Sequence, residues 1–116
     1  RNKRLIEDPD LLYNFINKGS LAQITTGSII GKFGKKISRF SHQLLNANLV
    51  HFISSDAHNL QERSFNMQEA MNLVHRKHGQ DTIYILTENA HSVVNGKVCI
   101  KEIPTKIRRK AFLGMF

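Results

Sequence analysis

Two side chains near the middle of the chain have the types and spacing of metal ligands. Asp56 and His58 follow an apolar run, residues 49–53, that is predicted to be a strand buried on both faces. Side chains two residues apart in an extended segment point the same way, so this carboxylate and imidazole can reach one divalent ion. Such a donor pair suits Mn, Fe or Zn. Two ligands do not complete a site, and the alternative is a turn-capping Asp beside a surface His.

Two neighbouring side chains could support phosphate chemistry at the same place. Arg63 follows shortly after His58, and its guanidinium could hold a phosphate bidentately, although a lone Arg can equally face solvent. Asn59 could orient the imidazole of His58. His51 is expected to be packed and hydrogen-bonded inside its strand. The remaining histidines fall on predicted helices and are expected to be solvated: His42, His75, His78 and His91.

The elements before this candidate site alternate between helix and strand. Asp8 and Pro9 are a typical N-cap and first helical residue, and Gly19 ends that helix. Residues 21–26 are β-branched and short, which predicts a strand. A glycine-punctuated loop is expected over residues 27–34, and a helix over residues 35–46.

The elements after the site are mainly helical. Asn66 and Glu69 have the spacing of a capping box, which predicts a helix that ends at Gly79. Residues 82–86 fit either a helical turn or a short strand. Thr87, Glu88 and Asn89 are expected to open and cap a last helix, followed by a weak edge strand over residues 98–103. The alternation predicts an α/β fold with a parallel sheet, whose active site lies at the carboxyl ends of the strands.

Composition excludes several classes of protein. The chain has 116 residues with 41% hydrophobic and 22% charged, so it is neither disordered nor membranous by composition. Its net charge of +8 favours anionic partners, which are nucleic acid, phosphorylated protein or anionic lipid. No apolar run could span a bilayer, and no secretory signal opens the chain. Cys99 is alone, and Thr105 stands where a Cys-x5-Arg phosphatase loop needs Arg.

Several separated segments resemble one enzyme family. Residues 50–59 (VHFISSDAHN), with Arg63 in step, are similar to the closing metal motif of metal-dependent protein-tyrosine phosphatases in the polymerase-and-histidinol-phosphatase (PHP) superfamily, the CpsB/CapC/YwqE type of Gram-positive bacteria. Residues 23–34 (QITTGSIIGKFG) resemble that family's Q-x-T-x-G-S-x-x-G-x-F-G segment, and residues 86–90 resemble its late helix start. Arg1 matches the Arg of its His-Pro-Glu-Arg segment.

The resemblance implies a fold and a set of site residues. Residues 1–104 would form the C-terminal portion of a PHP-type (β/α)7 barrel, a distorted relative of the TIM barrel, and residues 105–116 a basic-aromatic tail. Asp56 and His58 would be ligands of a divalent metal cluster, with Mn²⁺ expected and Fe or Zn as alternatives. Arg63 and Arg1 would bind phosphate. Further ligands would precede Arg1, so the chain would be a truncated part, inactive alone.

The resemblance also implies partners and a location. The substrate would be phosphotyrosine on a bacterial tyrosine kinase that regulates capsular or exopolysaccharide synthesis, and the missing N-terminal half of the barrel would be a second partner. The protein would be cytoplasmic. Its tail could touch the inner face of the membrane through its basic and apolar residues, or it could be a frayed terminus whose apolar residues are tucked against the barrel. These residues are Lys106, Arg108, Arg109, Lys110, Phe112, Leu113 and Phe116.

Other functions stay open as alternatives. Within the PHP superfamily, the Asp-x-His motif alone does not separate a tyrosine phosphatase from a histidinol phosphatase or a nuclease. Residues 29–37 resemble the G-x-x-G loop of RNA-binding KH domains, but that loop joins two helices, whereas residues 24–26 favour a preceding strand. Nucleic acid is therefore not the expected partner. A P-loop is excluded because Phe33 replaces its Ser or Thr.

Overall fold

The computed structural model describes residues 3–107, apart from the side chain of Lys3. The elements of this part of the chain are six helices and two short strands. Their bounds are α1 Lys3–Glu7, α2 Pro9–Asn17, β1 Gln23–Thr25, α3 Thr26–Ile30, α4 Lys35–Asn46, β2 Phe52–Ser54, α5 Leu60–His78 and α6 Gln80–Val94.

The two strands form a parallel pair. Gln23 lies opposite Phe52 and Thr25 lies opposite Ser54, so both strands end at the same edge. The chain between them folds into α3 and α4, as a parallel crossover connection requires. The predicted α/β class with parallel strands is confirmed, and its second strand begins three residues later than the start of the predicted run.

The helices α2 and α4 begin and end where the sequence predicts. Pro9 occupies the first turn of α2, with Asp8 at the N-cap. In α4, Phe40, Leu44 and Leu45 are buried on one face. Both helices are predictable because their ends and apolar stripes are encoded locally.

The loop predicted over residues 27–34 is wrong in its first half. Thr26–Ile30 forms the short helix α3, and Ile29 within it is fully buried. Glycine normally disfavours a helix, but burial of Ile29 against the core outweighs that preference. Gly31, with φ of +91°, then ends α3 in the left-handed conformation.

The predicted start of α5 is also wrong. The helix begins at Leu60, with Asn59 rather than Asn66 as its cap. Asn66 instead lies on the buried stripe of α5, together with Ala70 and Val74 at helical spacing. This stripe packs against α3. The Asn-x-x-Glu spacing at residue 66 is a coincidence of composition within a longer helix.

A single helix, α6, replaces the predicted break at residues 87–89, and no strand forms over residues 98–103. Asn89 is fully buried within α6, so it does not cap a helix. Its Nδ2 donates to the carbonyls of His51 at 2.8 Å and Ile100 at 2.9 Å, and its Oδ1 accepts from the Ile100 N–H at 2.6 Å. One amide side chain thus attaches the segment after α6 to the residue that precedes the second strand.

The hydrophobic core lies between the helices and the strand pair, and Cys99 is buried beside it as a free thiol. No helix in the described range is both long enough and apolar enough to cross a membrane. The buried core residues are Ile16, Ile29, Phe40, Leu44, Leu45, Ala47, Leu49, Val50, Ala70, Val74 and Leu86.

Candidate metal centre

The candidate site lies at the shared carboxyl edge of the two strands. After β1 the chain enters α3 at Thr26, and after β2 it runs through a turn to Asn59, where α5 begins. Because Thr25 and Ser54 are register partners, the first turn of α3 and the turn after β2 come together. This is the position where parallel α/β proteins place their active sites.

Asp56 is held by the start of α3. The hydroxyl of Thr26, which is fully buried, donates to Asp56 Oδ1 at 3.2 Å. A Cβ on Gly27 would lie 2.6 Å from Asp56 Oδ2, so glycine permits this close approach. The half-buried carboxylate is therefore fixed in position by residues 29 and 30 positions earlier in the chain.

Short side-chain hydrogen bonds shape both turns around Asp56. Ser55 Oγ accepts from the Ala57 N–H at 3.1 Å, and the hydroxyls of Thr25 and Ser28 lie 3.1 Å apart. Local bonds of this kind, made by Ser and Thr hydroxyls to nearby groups, stabilise turns and helix starts. The turn carrying Asp56 is thus supported on both sides.

The other candidate residues cluster at the beginning of α5. His58 is exposed, and Arg63 is exposed on the first turn of the helix. Asn59 Oδ1 accepts from the Glu62 N–H at 2.7 Å, which is an N-cap interaction. Orientation of His58 by Asn59 stays a prediction. Arg1 and residues 108–116 of the tail lie outside the described residues.

The donor types fit a divalent metal, but the ligand set is partial. Asp56 offers an oriented carboxylate whose second oxygen, Oδ2, is not needed for the Thr26 bond, and His58 offers an accessible imidazole. Across residues 3–107, no three His, Cys, Asp or Glu side chains are grouped closely enough to hold a metal ion.

The remaining histidines only partly follow the sequence prediction. His51 is packed as expected: it is 2% exposed, and its Nδ1 accepts from the Ala22 N–H at 3.0 Å. Burial lowers its pKa below the usual 6.5. His75 and His91 are exposed as predicted. For His42 and His78 the prediction of solvated rings is wrong, because these two rings pack together.

The sequence did not predict that Thr26 and Gly27 contact Asp56 at the candidate site. Both belong to residues 23–34, the Thr-Gly-Ser segment singled out for its family likeness. The signal was therefore present, but nothing in the local sequence connects a threonine in that segment to an aspartate 30 residues later. Sequence spacing alone does not report contacts across a crossover connection.

Comparison with known proteins assigns the family. The protein family described as "Capsular polysaccharide synthesis, CpsB/CapC" matches residues 1–95 of this chain. The chain belongs to the CpsB/CapC family. One relative of this chain is tyrosine-protein phosphatase YwqE of Bacillus subtilis. The two are 40% identical over 116 residues, which cover 100% of this chain and 46% of YwqE. Tyrosine-protein phosphatase CpsB of Streptococcus agalactiae is 32% identical over 100 residues, covering 81% of this chain and 41% of that protein.

A solved structure shares the fold of this CpsB/CapC-family chain. It comes from the crystal structures of YwqE from Bacillus subtilis and CpsB from Streptococcus pneumoniae, which are metal-dependent tyrosine phosphatases. The similarity has a TM-score of 0.86 at 41% identity and covers 93% of this chain and 44% of the other. The chain thus spans about half the length of the relatives that it matches.

The helix order of the structure corrects one argument against RNA binding. The turn at residues 31–34 does join two helices, α3 and α4, so the expected strand immediately before the loop is not what separates this chain from a KH domain. The match of residues 1–95 to the CpsB/CapC family accounts for the same glycines without RNA.

Proposed function

We propose that the protein carrying this chain is a metal-dependent protein-tyrosine phosphatase, with Asp56 and His58 among its metal ligands. The observation that carries the proposal is the bond from the Thr26 hydroxyl to Asp56 Oδ1, because it joins the two segments whose sequences most resemble the family. A structural Asp capping a surface turn would need no buried hydroxyl to orient it. The relatives named above support the same activity.

We place the chain in the C-terminal portion of a PHP-type (β/α)7 barrel. Two parallel strands within residues 3–107 form only a small part of such a barrel, and the matched relatives are about twice as long. Residues outside the described range would supply the remaining metal ligands. Arg1 would bind phosphate from there, and the missing N-terminal half of the barrel would be the structural partner.

Each described site residue has a distinct role in this proposal. Asp56 and His58 hold the metal cluster, with Mn²⁺ as the expected ion and Fe or Zn as alternatives. When bound, the cluster supplies an activated water and neutralises charge on the phosphoryl oxygens. Arg63 holds the phosphate of the substrate, and Thr26 keeps the carboxylate of Asp56 in a single orientation. This mechanism requires no covalent phosphoenzyme.

The first test concerns the ligand set. The 116-residue chain, incubated with Mn²⁺ and p-nitrophenyl phosphate, should show little or no turnover, because its described residues include no group of three His, Cys, Asp or Glu side chains that could hold a metal ion. The full-length protein should turn the substrate over. Robust turnover by the chain alone would contradict the placement of further ligands elsewhere.

The second test concerns the ligands themselves in the full-length protein. Asp56→Ala and His58→Ala should each lower kcat/KM by about a hundredfold or more, since both remove a group that acts on the metal. Asp81→Ala and His75→Ala are matched controls, because both side chains are exposed and lie outside the site. Wild-type kinetics in Asp56→Ala would remove the site assignment.

For the substrate, we propose phosphotyrosine on a bacterial tyrosine kinase that regulates capsule synthesis, as the family description suggests. A phosphotyrosine peptide should be hydrolysed at least about tenfold faster than histidinol phosphate or a nuclease substrate at equal concentration. Preference for histidinol phosphate or for a phosphodiester would favour the alternative PHP activities instead.

For the location, we propose the cytoplasm, with contact to the inner face of the membrane through the tail. The start of the tail packs on the body: the Thr105 N–H donates to the Ala47 carbonyl at 2.8 Å, and Lys106 Nζ lies 5.4 Å from the centroid of the Tyr13 ring. Membrane contact would therefore depend on residues 108–116. Deletion of residues 108–116 should abolish binding of the protein to anionic vesicles. Unchanged vesicle binding after the deletion would contradict the membrane contact.

A further inference from the structure

A second cavity lies at the other end of α5 from the candidate metal centre. We call it the α4–α5 groove; its volume is about 690 Å³, and it lies between α4 and the last turn of α5. Its lining includes the polar and charged side chains of Lys35, Arg39, His42, Gln43, Lys77 and His78. Since α5 has 19 residues, it separates the groove from Asn59 by roughly 28 Å.

The groove concentrates positive charge without a counter-charge. Lys35 and Arg39 lie one turn apart on α4, and Lys77 reaches the groove from α5. None of the residues lining the groove is acidic, and among the described residues none of these three cations makes an ion pair. Elsewhere, Lys32 does pair with Glu62, at 3.5 Å. The groove therefore offers cationic donors to an outside anion.

A hydrogen-bonded histidine pair lines this groove. His42 Nε2 lies 3.3 Å from the Ile29 carbonyl, which can only accept, so Nε2 carries the hydrogen of His42. His42 Nδ1 is then an acceptor, and His78 Nε2, 2.8 Å away, must donate to it. This leaves His78 Nδ1 as an unprotonated acceptor that is buried and has no hydrogen-bond partner.

His78 Nδ1 is therefore the nitrogen that can take up a proton without breaking the pair. Burial lowers the pKa of His78, and the nearby His42 and Lys77 lower it further. Lys35 and Arg39 add positive charge from α4. Asp81, in the first turn of α6, is exposed and does not line the groove. An anion in the groove would offset these cations and favour the protonated ring.

We propose that the α4–α5 groove binds a small oligophosphate, held by Lys35, Arg39 and Lys77, and that the bound anion stabilises a proton on His78. The volume is in the range of small-molecule sites. Converging lysine and arginine side chains suit phosphate oxygens, with arginine able to bind two of them at once. This site is independent of the metal centre and of the phosphatase activity.

Binding to the full-length protein that carries this chain can be measured by calorimetry with pyrophosphate, in the presence of a chelator so that no divalent metal binds at Asp56. Saturable binding is expected. Arg39→Ala/Lys77→Ala should weaken it by about tenfold or more, because two charge-assisted contacts are lost. The matched control is Lys36→Ala/Arg76→Ala, which removes the same charges from the same helices outside the groove and should change affinity less than about threefold.

Three outcomes would overturn the proposal: no saturable binding of pyrophosphate, equal weakening in both double variants, or binding of a Glu-rich peptide where pyrophosphate does not bind. Parallel titration with ADP distinguishes the source of the phosphate. Tighter binding of ADP supports a nucleotide, and tighter binding of pyrophosphate supports a free oligophosphate.

The proton on His78 has a separate readout. The affinity of the wild type relative to His78→Gln should increase between about pH 7.5 and about pH 5.5, as the ring becomes able to protonate. Because both proteins receive the same probe, the titration of pyrophosphate itself cancels in this ratio. A ratio that does not change with pH would contradict the role of His78.

Discussion

Gly27 and Asp56 approach each other so closely that any side chain at residue 27 would displace the carboxylate. A Cβ on Gly27 would lie 2.6 Å from Asp56 Oδ2 and 2.8 Å from Phe33 Cε2. The contact with Asp56 cannot be relieved freely, because Asp56 Oδ1 is bonded to the Thr26 hydroxyl and Gly27 itself is buried. The first turn of α3 thus sets the position of a candidate metal ligand.

Gly27→Ala should therefore impair metal binding before it impairs folding. The added methyl group should cost about 1–3 kcal/mol of stability as an overpacked contact, and it should lower Mn²⁺ affinity in the full-length protein by at least about tenfold. Titration of Mn²⁺ by electron paramagnetic resonance measures the affinity. In an Asp56→Ala background the stability cost should shrink, because one of the two clashing groups is gone; an undiminished cost would contradict the contact.

Thr26→Val removes only the hydroxyl that orients Asp56. Mn²⁺ affinity of the full-length protein should fall about tenfold to hundredfold, which is the usual effect of losing a group that orients a ligand. Thr26→Ser keeps the hydroxyl and should retain most of the affinity. If the valine and serine variants bind Mn²⁺ equally well, then the bond from Thr26 to Asp56 does not support the site.

Asn89→Ala should destabilise the fold strongly. The substitution removes three hydrogen bonds, to the His51 carbonyl and to both backbone groups of Ile100, and leaves buried polar groups without partners. A loss of about 2–4 kcal/mol in the free energy of unfolding is expected. Urea denaturation measures it, with the exposed Asn95→Ala as a control that should stay within about 0.5 kcal/mol of wild type.

Stability should fall on mild acidification. Burial lowers the pKa values of His42, His51 and His78 below the usual 6.5, so the folded state binds fewer protons than the unfolded state. The contribution of these neutral histidines to the free energy of unfolding is fully present above pH 6.5. It is lost as the pH falls from 6.5 through the lowered pKa values. Thermal unfolding between about pH 7.5 and about pH 5.5 measures the trend.

A pair of double variants separates these buried histidines from the exposed ones. His42→Gln/His78→Gln should flatten the dependence of the melting temperature on pH, because two of the three titrating groups are removed. His75→Gln/His91→Gln changes exposed side chains and should leave the dependence as it is. A greater flattening in the second variant would show that the buried pair is not responsible.

The candidate ligands and much of the fold could be predicted from the sequence because their signals are local. The spacing of Asp56 and His58 after an apolar run, the Asp8-Pro9 helix start and the stripe of α4 all lie within a few residues. The family likeness also depends on contiguous strings, and the match of residues 1–95 confirms it. The metal and phosphate roles of the site residues stay predictions.

The errors arise where distant residues override local preference. Residues 26–30 become helical because Ile29 is buried by the core, and Asn89 is drawn inside because it satisfies backbone groups of two other segments. Neither the glycine-containing segment at residues 26–30 nor the Glu88-Asn89 pair has a local sequence feature that predicts such burial. Capping rules alone therefore place these residues on the surface.

By itself, the sequence determined which side chains are available for chemistry, the parallel α/β class and the family. Only the tertiary structure decided that the Thr26 hydroxyl supports Asp56 and that His42 meets His78, because those partners are 30 and 36 residues apart. Contacts of that kind depend on how the crossover between the strands and the packing of α4 on α5 bring separate segments together. Their geometry is a property of the folded chain as a whole.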